Sequence, residues 1–170
     1  MVKYRRRREQ KTNFKKRLSL LKSGLPRLVI RRSNRHVQVQ LISYHEDGDR
    51  VMVAAHSSEL LKYGWKYSMS NIPAAYLTGW LAGHKIKKIL SEKNNEAVLD
   101  LGLQVAHPKG VLYSALKGVI DAGVKVPHSD EILPPQEWVE GYLLANWKKI
   151  DGLQEDVKNI KLQIQKRMEG

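Results

Sequence analysis

"PRLVIRRSNRHVQVQLISYHEDGDRVMVAA", residues 26–55, decides how the rest of the chain is read. Within His36–Tyr44, Val37, Val39 and Leu41 alternate with polar residues, the period of two that marks a strand with one buried face. "HEDGD" (His45–Asp49) gathers Asp and Gly as turns do, and "RVMVAA" (Arg50–Ala55) resumes an apolar run. Pro26 opens "PRLVIRRS" ahead of them. Three short strands joined by tight connections predict an antiparallel meander.

Working downstream, a loop over His56–Asn71 is expected, with a short helical turn near Ser58–Tyr63. Ser70 or Asn71 can then cap a long helix that has Pro73 in its first turn and runs to about Ser91. Its small residues Ala75, Gly79 and Gly83 form a strip expected to let it lie close against a sheet. Glu96–Val105 reads as a fourth strand and Val124–Ser129 as a brief fifth. Between them, Lys109–Val124 contains a helix with Leu112, Leu116, Val119 and Ile120 on one side. Pro134–Ile150 reads as a helix opened by its prolines, and 151–168 as a last one carrying Leu153, Val157, Ile160, Ile164 and Met168 at helical spacing. The order βββ-α-β-α-β followed by two helices predicts an α/β domain. Its mixed sheet, an antiparallel three-stranded meander followed by αβαβ, is flanked by helices in a ribonuclease-H-like arrangement. The expected divisions are a basic arm with a short helix (1–24), the α/β core (25–134) and a C-terminal helical extension (135–170).

Upstream of the meander the composition changes. Residues 1–35 hold 14 Lys or Arg against one acid, Glu9, and so carry the entire formal net charge of +13. The rest of the chain balances to zero. Repulsion should keep residues 1–11 extended in the free chain. From Thr12 a helix is expected, capped by Thr12 or Asn13, with Phe14, Leu18 and Leu21 as the face that seats on the body and Gly24 as its stop. Such asymmetry points to a polyanionic partner, nucleic acid or anionic membrane. The charge extends well past the small apolar face of that helix and into the turn "RRSNRH" (Arg31–His36), which favours RNA over a membrane surface. There Ser33, Asn34 and His36 can donate to phosphate, sugar or base edges. A second cluster, "KYGWK" (Lys62–Lys66), sets Tyr63 and Trp65 among cations, as suits stacking on unpaired bases; the competing reading is a plug that packs under the loop. Trp80, Trp138 and Trp147 fall in helical patterns and are expected to pack.

Enzymatic readings find little footing. A metal-dependent nuclease of ribonuclease-H-like architecture needs converging carboxylates on its first strand. Here that strand carries Arg27, Arg31 and Arg32 and no acid, Asp47 and Asp49 lie in a turn, and Asp100 stands alone in its strand. Asp121, near a helix end, is expected to serve a structural hydrogen bond. The six His form no metal-ligand spacing, and there is no Cys. "HSSE" (His56–Glu59) lacks the nucleophile-elbow context, and no phosphate-binding glycine loop is present. No catalysis, metal or cofactor is expected. The N-terminal segment lacks the uninterrupted apolar core of a secretory signal, and Ile72–Gly83 is shorter than the roughly 20 apolar residues a membrane span needs. A soluble, cytoplasmic protein is expected.

Several segments together resemble a known family: "YRRRREQKTNFKKRLSLLKSGLPRLVIRRSNRHVQVQLI" (Tyr4–Ile42), "AAHSSELLKYGWK" (Ala54–Lys66), "NIPAAYLTGWLAG" (Asn71–Gly83), "VLDLGL" (Val98–Leu103) and "SALKGVIDAGVKVPHSDEILP" (Ser114–Pro134). They are similar to the large-subunit ribosomal proteins that bind 5S rRNA, L-eighteen in bacteria and L-five in eukaryotes, and most to archaeal members. The resemblance implies a non-enzymatic α/β protein that binds 5S rRNA and attaches it to 23S rRNA in the central protuberance. It implies rRNA contacts by Arg5, Arg6, Arg7, Arg8, Lys11, Thr12, Asn13, Lys15 and Arg17. A second set comprises Arg27, Arg31, Arg32, Ser33, Asn34 and His36, and a third Lys62, Tyr63, Trp65 and Lys66. For residues 135–170 it leaves open whether the partner is a neighbouring large-subunit protein or more rRNA.

Overall fold

The computed structural model describes residues 5–90 and 95–169. The meander forms as the alternation requires: β1 (Arg27–Arg32), β2 (Val37–Ser43) and β3 (Arg50–His56) pair antiparallel. A fourth strand, β4 (Val98–Asp100), joins β1 in parallel, and the sheet order is β3-β2-β1-β4. The expected strand over Glu96–Val105 is thus reduced to three residues. The chain turns away at Gly102 (φ 61°), where a side chain would meet the Arg31 guanidinium. The expected fifth strand over Val124–Ser129 shrinks to one parallel bridge between Glu96 and Lys125.

Period two in the sequence becomes two faces in the sheet. Leu28, Ile30, Val37, Val39, Leu41, Val53 and Ala55 point to one side and join the core. Covering that side are α3 (Ile72–Ile89) and α4 (Val111–Asp121). Asn71 caps α3, its Oδ1 accepting from the Ala74 N–H at 2.8 Å, and Pro73 sits in the first turn, as expected. The small strip works differently from its reading. Gly79 faces the Ala115 carbonyl and Gly83 faces Val119 and Ala122, so the strip lets α3 approach α4 rather than the sheet. Gly118 of α4 answers from the other side, with no room for a Cβ against the Tyr76 carbonyl and Trp80 nitrogen. Tyr76 donates to Asp121 Oδ2 at 2.8 Å, the structural bond expected of that carboxylate.

The HSSE segment opens a 3-10 helix (Ser57–Tyr63). His56 and Glu59 close a capping box there: the His56 side chain accepts from Ser58 N–H, and Glu59 accepts from the His56 N–H at 3.0 Å. The expected helix over Pro134–Ile150 is broken into α5 (Gln136–Val139) and α6 (Tyr142–Lys148) by Gly141, whose φ of 97° no helix interior tolerates. The last helix, α7 (Leu153–Glu169), forms as its spacing requires, and Leu153, Val157, Ile160 and Ile164 are buried in the same core as the sheet. Lys161 of α7 lies 4.2 Å from the Trp80 ring centre and donates to the Tyr76 hydroxyl at 2.7 Å. Among the described residues, no helix is long and apolar enough to cross a membrane.

Candidate nucleic-acid interface

The other face of the sheet carries Arg27, Val29 and Arg31 from β1, Gln38, Gln40 and Ile42 from β2, and Asp100 from β4. The N-terminal arm lies across it. Rather than staying extended, Arg5–Arg8 form one helical turn (α1), because Glu9 offers a local counter-charge: Arg5 Nε reaches its Oε1 at 3.1 Å and Lys11 Nζ its Oε2 at 2.9 Å. The chain reverses at Gln10 (φ 50°), and Arg6 Nε donates to Thr12 Oγ1 at 2.9 Å. Asn13 then caps α2 (Phe14–Leu21), its Oδ1 accepting from Lys16 N–H.

The face of α2 that meets the body differs from the expected one. Phe14 and Leu18 are 44% and 58% exposed, whereas Arg17, Leu20 and Leu21 turn inward. Electrostatics set this rotation. Arg17 Nη2 spans both oxygens of Asp49, at 3.0 and 2.9 Å, and so fastens the helix to the turn before β3.

Asp49 is shared with Arg27. That guanidinium donates to Asp49 Oδ2 at 2.6 Å and to Asp100 Oδ2 at 2.8 Å, while Asp100 Oδ1 accepts from the Gly102 N–H. Asp49 is therefore more than a solvated turn residue, and Asp100 is not alone. The two carboxylates converge, but on an arginine, which fills the space a metal ion would need. Among the described residues no group of three or more His, Asp or Glu could hold a metal. Arg27 itself, 4% exposed, is committed internally.

Beside it, Arg31 Nη1 donates to the Asp100 carbonyl at 2.9 Å. Its pKa is drawn below the usual arginine value, first by burial; Asp100 pulls the other way, and Arg27 and Arg6 add like-charge repulsion. Between arm and sheet runs a groove of about 700 Å³. Its cations are Arg6, Lys11, Lys16, Arg17, Arg27 and Arg31; its acids are Asp49 and Asp100, both already paired with arginine. Thr12 and Asn13 also line it. Lys15 is exposed on α2 outside the groove, as are Arg5 and Arg8, and the Arg7 side chain lies outside the described residues.

The end of β1 leads to the second predicted cluster. Arg32 is exposed, its backbone held by a two-point bond to the Gln104 amide. Ser33 and His36 close the turn on each other, and the Asn34 carbonyl accepts from Ser70 Oγ at 2.9 Å, leaving the Asn34 side chain exposed. His36 is half-buried, its Nδ1 3.1 Å from Ser57 Oγ and its ring 4.7 Å from that of His56.

In the KYGWK loop the packing reading wins for the aromatics. Trp65 is 2% exposed and donates from Nε1 to the Ser68 carbonyl, while Tyr63 is half-buried under the Arg167 guanidinium. Lys62 and Lys66 remain exposed. Lys16, one of the basic residues of the arm helix, belongs to the groove, as do Gln40 and Gln104, which no motif marked; the alternation of Gln with Val in β2 was the available signal for Gln40.

The capping box beneath the turn gives a pH dependence. His56 is drawn below 6.5, first by burial and then by His36, with Glu59 opposing. Burial alone would raise Glu59, but hydrogen bonds from Lys85 and the His56 backbone, with the charges of Lys85 and Lys62, bring it below 4.5. A lowered His pKa means the unfolded chain takes up its proton first, so stability falls as pH drops through about 6.5. A lowered Glu pKa gives stability that is present above the unfolded value and lost as pH falls through the folded one. Urea midpoints should therefore decline in two acid steps. Glu59→Gln should blunt the lower step and, by removing the charge that raises His56, deepen the upper one, and identical profiles for both proteins would refute the assignment.

Comparison with known proteins shows the family. Residues 1–95 match the model of the family described as ribosomal large subunit proteins 60S L5, and 50S L18. The chain is 51% identical over 146 residues to the large ribosomal subunit protein uL18 of Korarchaeum cryptofilum (strain OPF8), covering 86% of this chain and 73% of that protein. It is 47% identical over 168 residues to the uL18 of Methanococcus maripaludis, covering 99% and 84%. The second match takes in the C-terminal helices as well, beyond the segments that first suggested the family. These relatives are ribosomal proteins and not enzymes, and the chain belongs to the family of large-subunit ribosomal proteins 60S L5 and 50S L18.

Proposed function

We propose that this chain is a cytoplasmic structural constituent of the large ribosomal subunit, among neighbouring subunit proteins. In this reading it binds 5S rRNA through the groove between its arm and the open sheet face, and helps attach that RNA to 23S rRNA in the central protuberance. One observation carries the reading: six cations line the groove, and its only two acids are already neutralised from within. The surplus is positive and is presented by the fastened arm together with Arg31 of the sheet, and phosphate would relieve the crowding of Arg6 and Arg31. Arg32, Ser33, Asn34 and His36 extend the surface along the sheet's end, with Lys62 and Lys66 as further cations. Arg5, Arg7, Arg8 and Lys15 supply outlying phosphate contacts. Arg27, Tyr63 and Trp65 serve by holding the platform's shape. The strand order with its helical crossover supports a ribonuclease-H-like layout, in which Asp49 and Asp100 are held by the Arg27 clamp.

Because Arg17 already fastens the arm, RNA binding is spared part of the ordering cost of about 1–2 kcal/mol per backbone residue. The test is salt-dependent binding to 5S rRNA and to an unrelated structured RNA. We expect preference for 5S rRNA. Replacing Arg6, Lys11 and Lys16 together by Gln should make the log K–log[salt] slope shallower by about 2–3, at roughly 0.7–0.9 per phosphate contact. Equal affinity of the unaltered chain for both RNAs would reject the reading.

A further inference from the structure

We infer that a second groove, between the start of α3 and helices α5–α6, docks a protein segment that carries an apolar anchor flanked by carboxylates. The inference rests on the ribosomal reading and names the surface and partner chemistry that reading leaves open.

The groove encloses about 680 Å³, and Ile72, Pro73, Trp138, Leu143, Trp147 and Ile150 make most of its wall. Trp147, expected to pack, is instead 78% exposed, and Tyr142 and Leu143 on the same short helix are also exposed. Gly141 causes this. By breaking the expected continuous helix, it re-aims α6 so that Leu144 and Ala145 keep to the core while Tyr142, Leu143 and Trp147 turn out of it. A concentrated aliphatic and aromatic surface around two tryptophans has the character of a protein-binding hot spot.

The occupant follows from the polar groups. Those on the floor are already committed: the Ser68 carbonyl accepts from Trp65, Ser70 Oγ donates to Asn34, and Asn71 Oδ1 caps α3. Asn71 Nδ2 is sealed from solvent. Little is left to read the edges of a nucleobase, whereas an apolar side chain asks for no such partner. At the rim stand Arg32 and Lys148, the latter 5.5 Å from the Trp147 ring centre, and no carboxylate lines the groove. A cationic rim around an apolar floor is complementary to an acidic segment with an apolar anchor.

The test places the photo-cross-linker p-benzoylphenylalanine at Trp147, and separately at Leu143, in the full chain assembled into large subunits. Irradiation should yield adducts with a protein segment bearing Asp or Glu beside an apolar residue. Lys148→Glu should lower the yield per incorporated chain by at least about threefold. Adducts mainly with rRNA, no adduct from either position, or a yield unmoved by Lys148→Glu would overturn the inference while leaving the ribosomal reading intact. Absence of the chain from the subunit fraction would overturn both.

Discussion

Arg27→Ala should cost about 3–5 kcal/mol of unfolding free energy, a larger loss than any exposed arginine of the arm would cause. The guanidinium is buried and joined to two carboxylates. Asp49 would keep Arg17, but Asp100 would be left in the sheet with only the Gly102 N–H and a distant Arg31 Nη2 at 3.8 Å. An uncompensated buried charge is the costly outcome; removing the pair as a unit is milder. Arg27→Met combined with Asp100→Leu should accordingly be more stable than the sum of the single losses allows, and urea denaturation of the four proteins measures that coupling. RNA binding separates this role from a phosphate contact. For the folded fraction of Arg27→Ala, the salt slope should stay close to the parent value. A slope shallower by about one with stability unchanged would return Arg27 to the RNA-contacting set.

Gly118→Val should be comparably damaging, at about 3 kcal/mol or more. A side chain there would run into the Tyr76 carbonyl and the Trp80 nitrogen, both backbone atoms of α3, which cannot swing aside as a flexible side chain can. The two helices would have to separate, and they cover the whole inward face of the sheet. Alanine gives a graded comparison: its helix propensity, better than glycine's by about 1 kcal/mol, offsets part of a smaller clash. Thermal or urea unfolding should rank the proteins as glycine, alanine, valine from most to least stable. A valine variant within about 0.5 kcal/mol of the parent would mean that α3 and α4 do not meet through this glycine.

The legible parts of this fold were those set by local pattern. Val37, Val39 and Leu41 gave β2 its inward face, Asn71 and Pro73 marked the start of α3, and Leu153 to Ile164 marked the buried stripe of α7. What could not be read depended on partners far away in sequence. Arg27 looks like its exposed neighbours until Asp49 and Asp100, 22 and 73 residues on, close over it. The rotation of α2 likewise follows from Arg17 finding Asp49, which outweighs an apolar spacing of only three residues. Trp65 settled into the packing reading left open for it, and Trp147 came out of the packing expected of it, because burial is decided by where a loop is tied down and where Gly141 redirects the chain. The small strip on α3 was correctly seen as a close-approach surface, but its counterpart, Gly118, could be matched to it only in three dimensions.

Completion of the core from both ends of the chain bears on how the protein is made. The inward side chains of β1–β3 are sealed partly by α4, and α7 begins about a hundred residues after β3 ends. At 5–20 residues per second, synthesis leaves that apolar meander unfinished for on the order of ten seconds, attached to a strongly cationic leader. The nascent polypeptide is thus both sticky and highly charged through most of its elongation, a period in which a holding chaperone or an early polyanion would do most to keep it from aggregating.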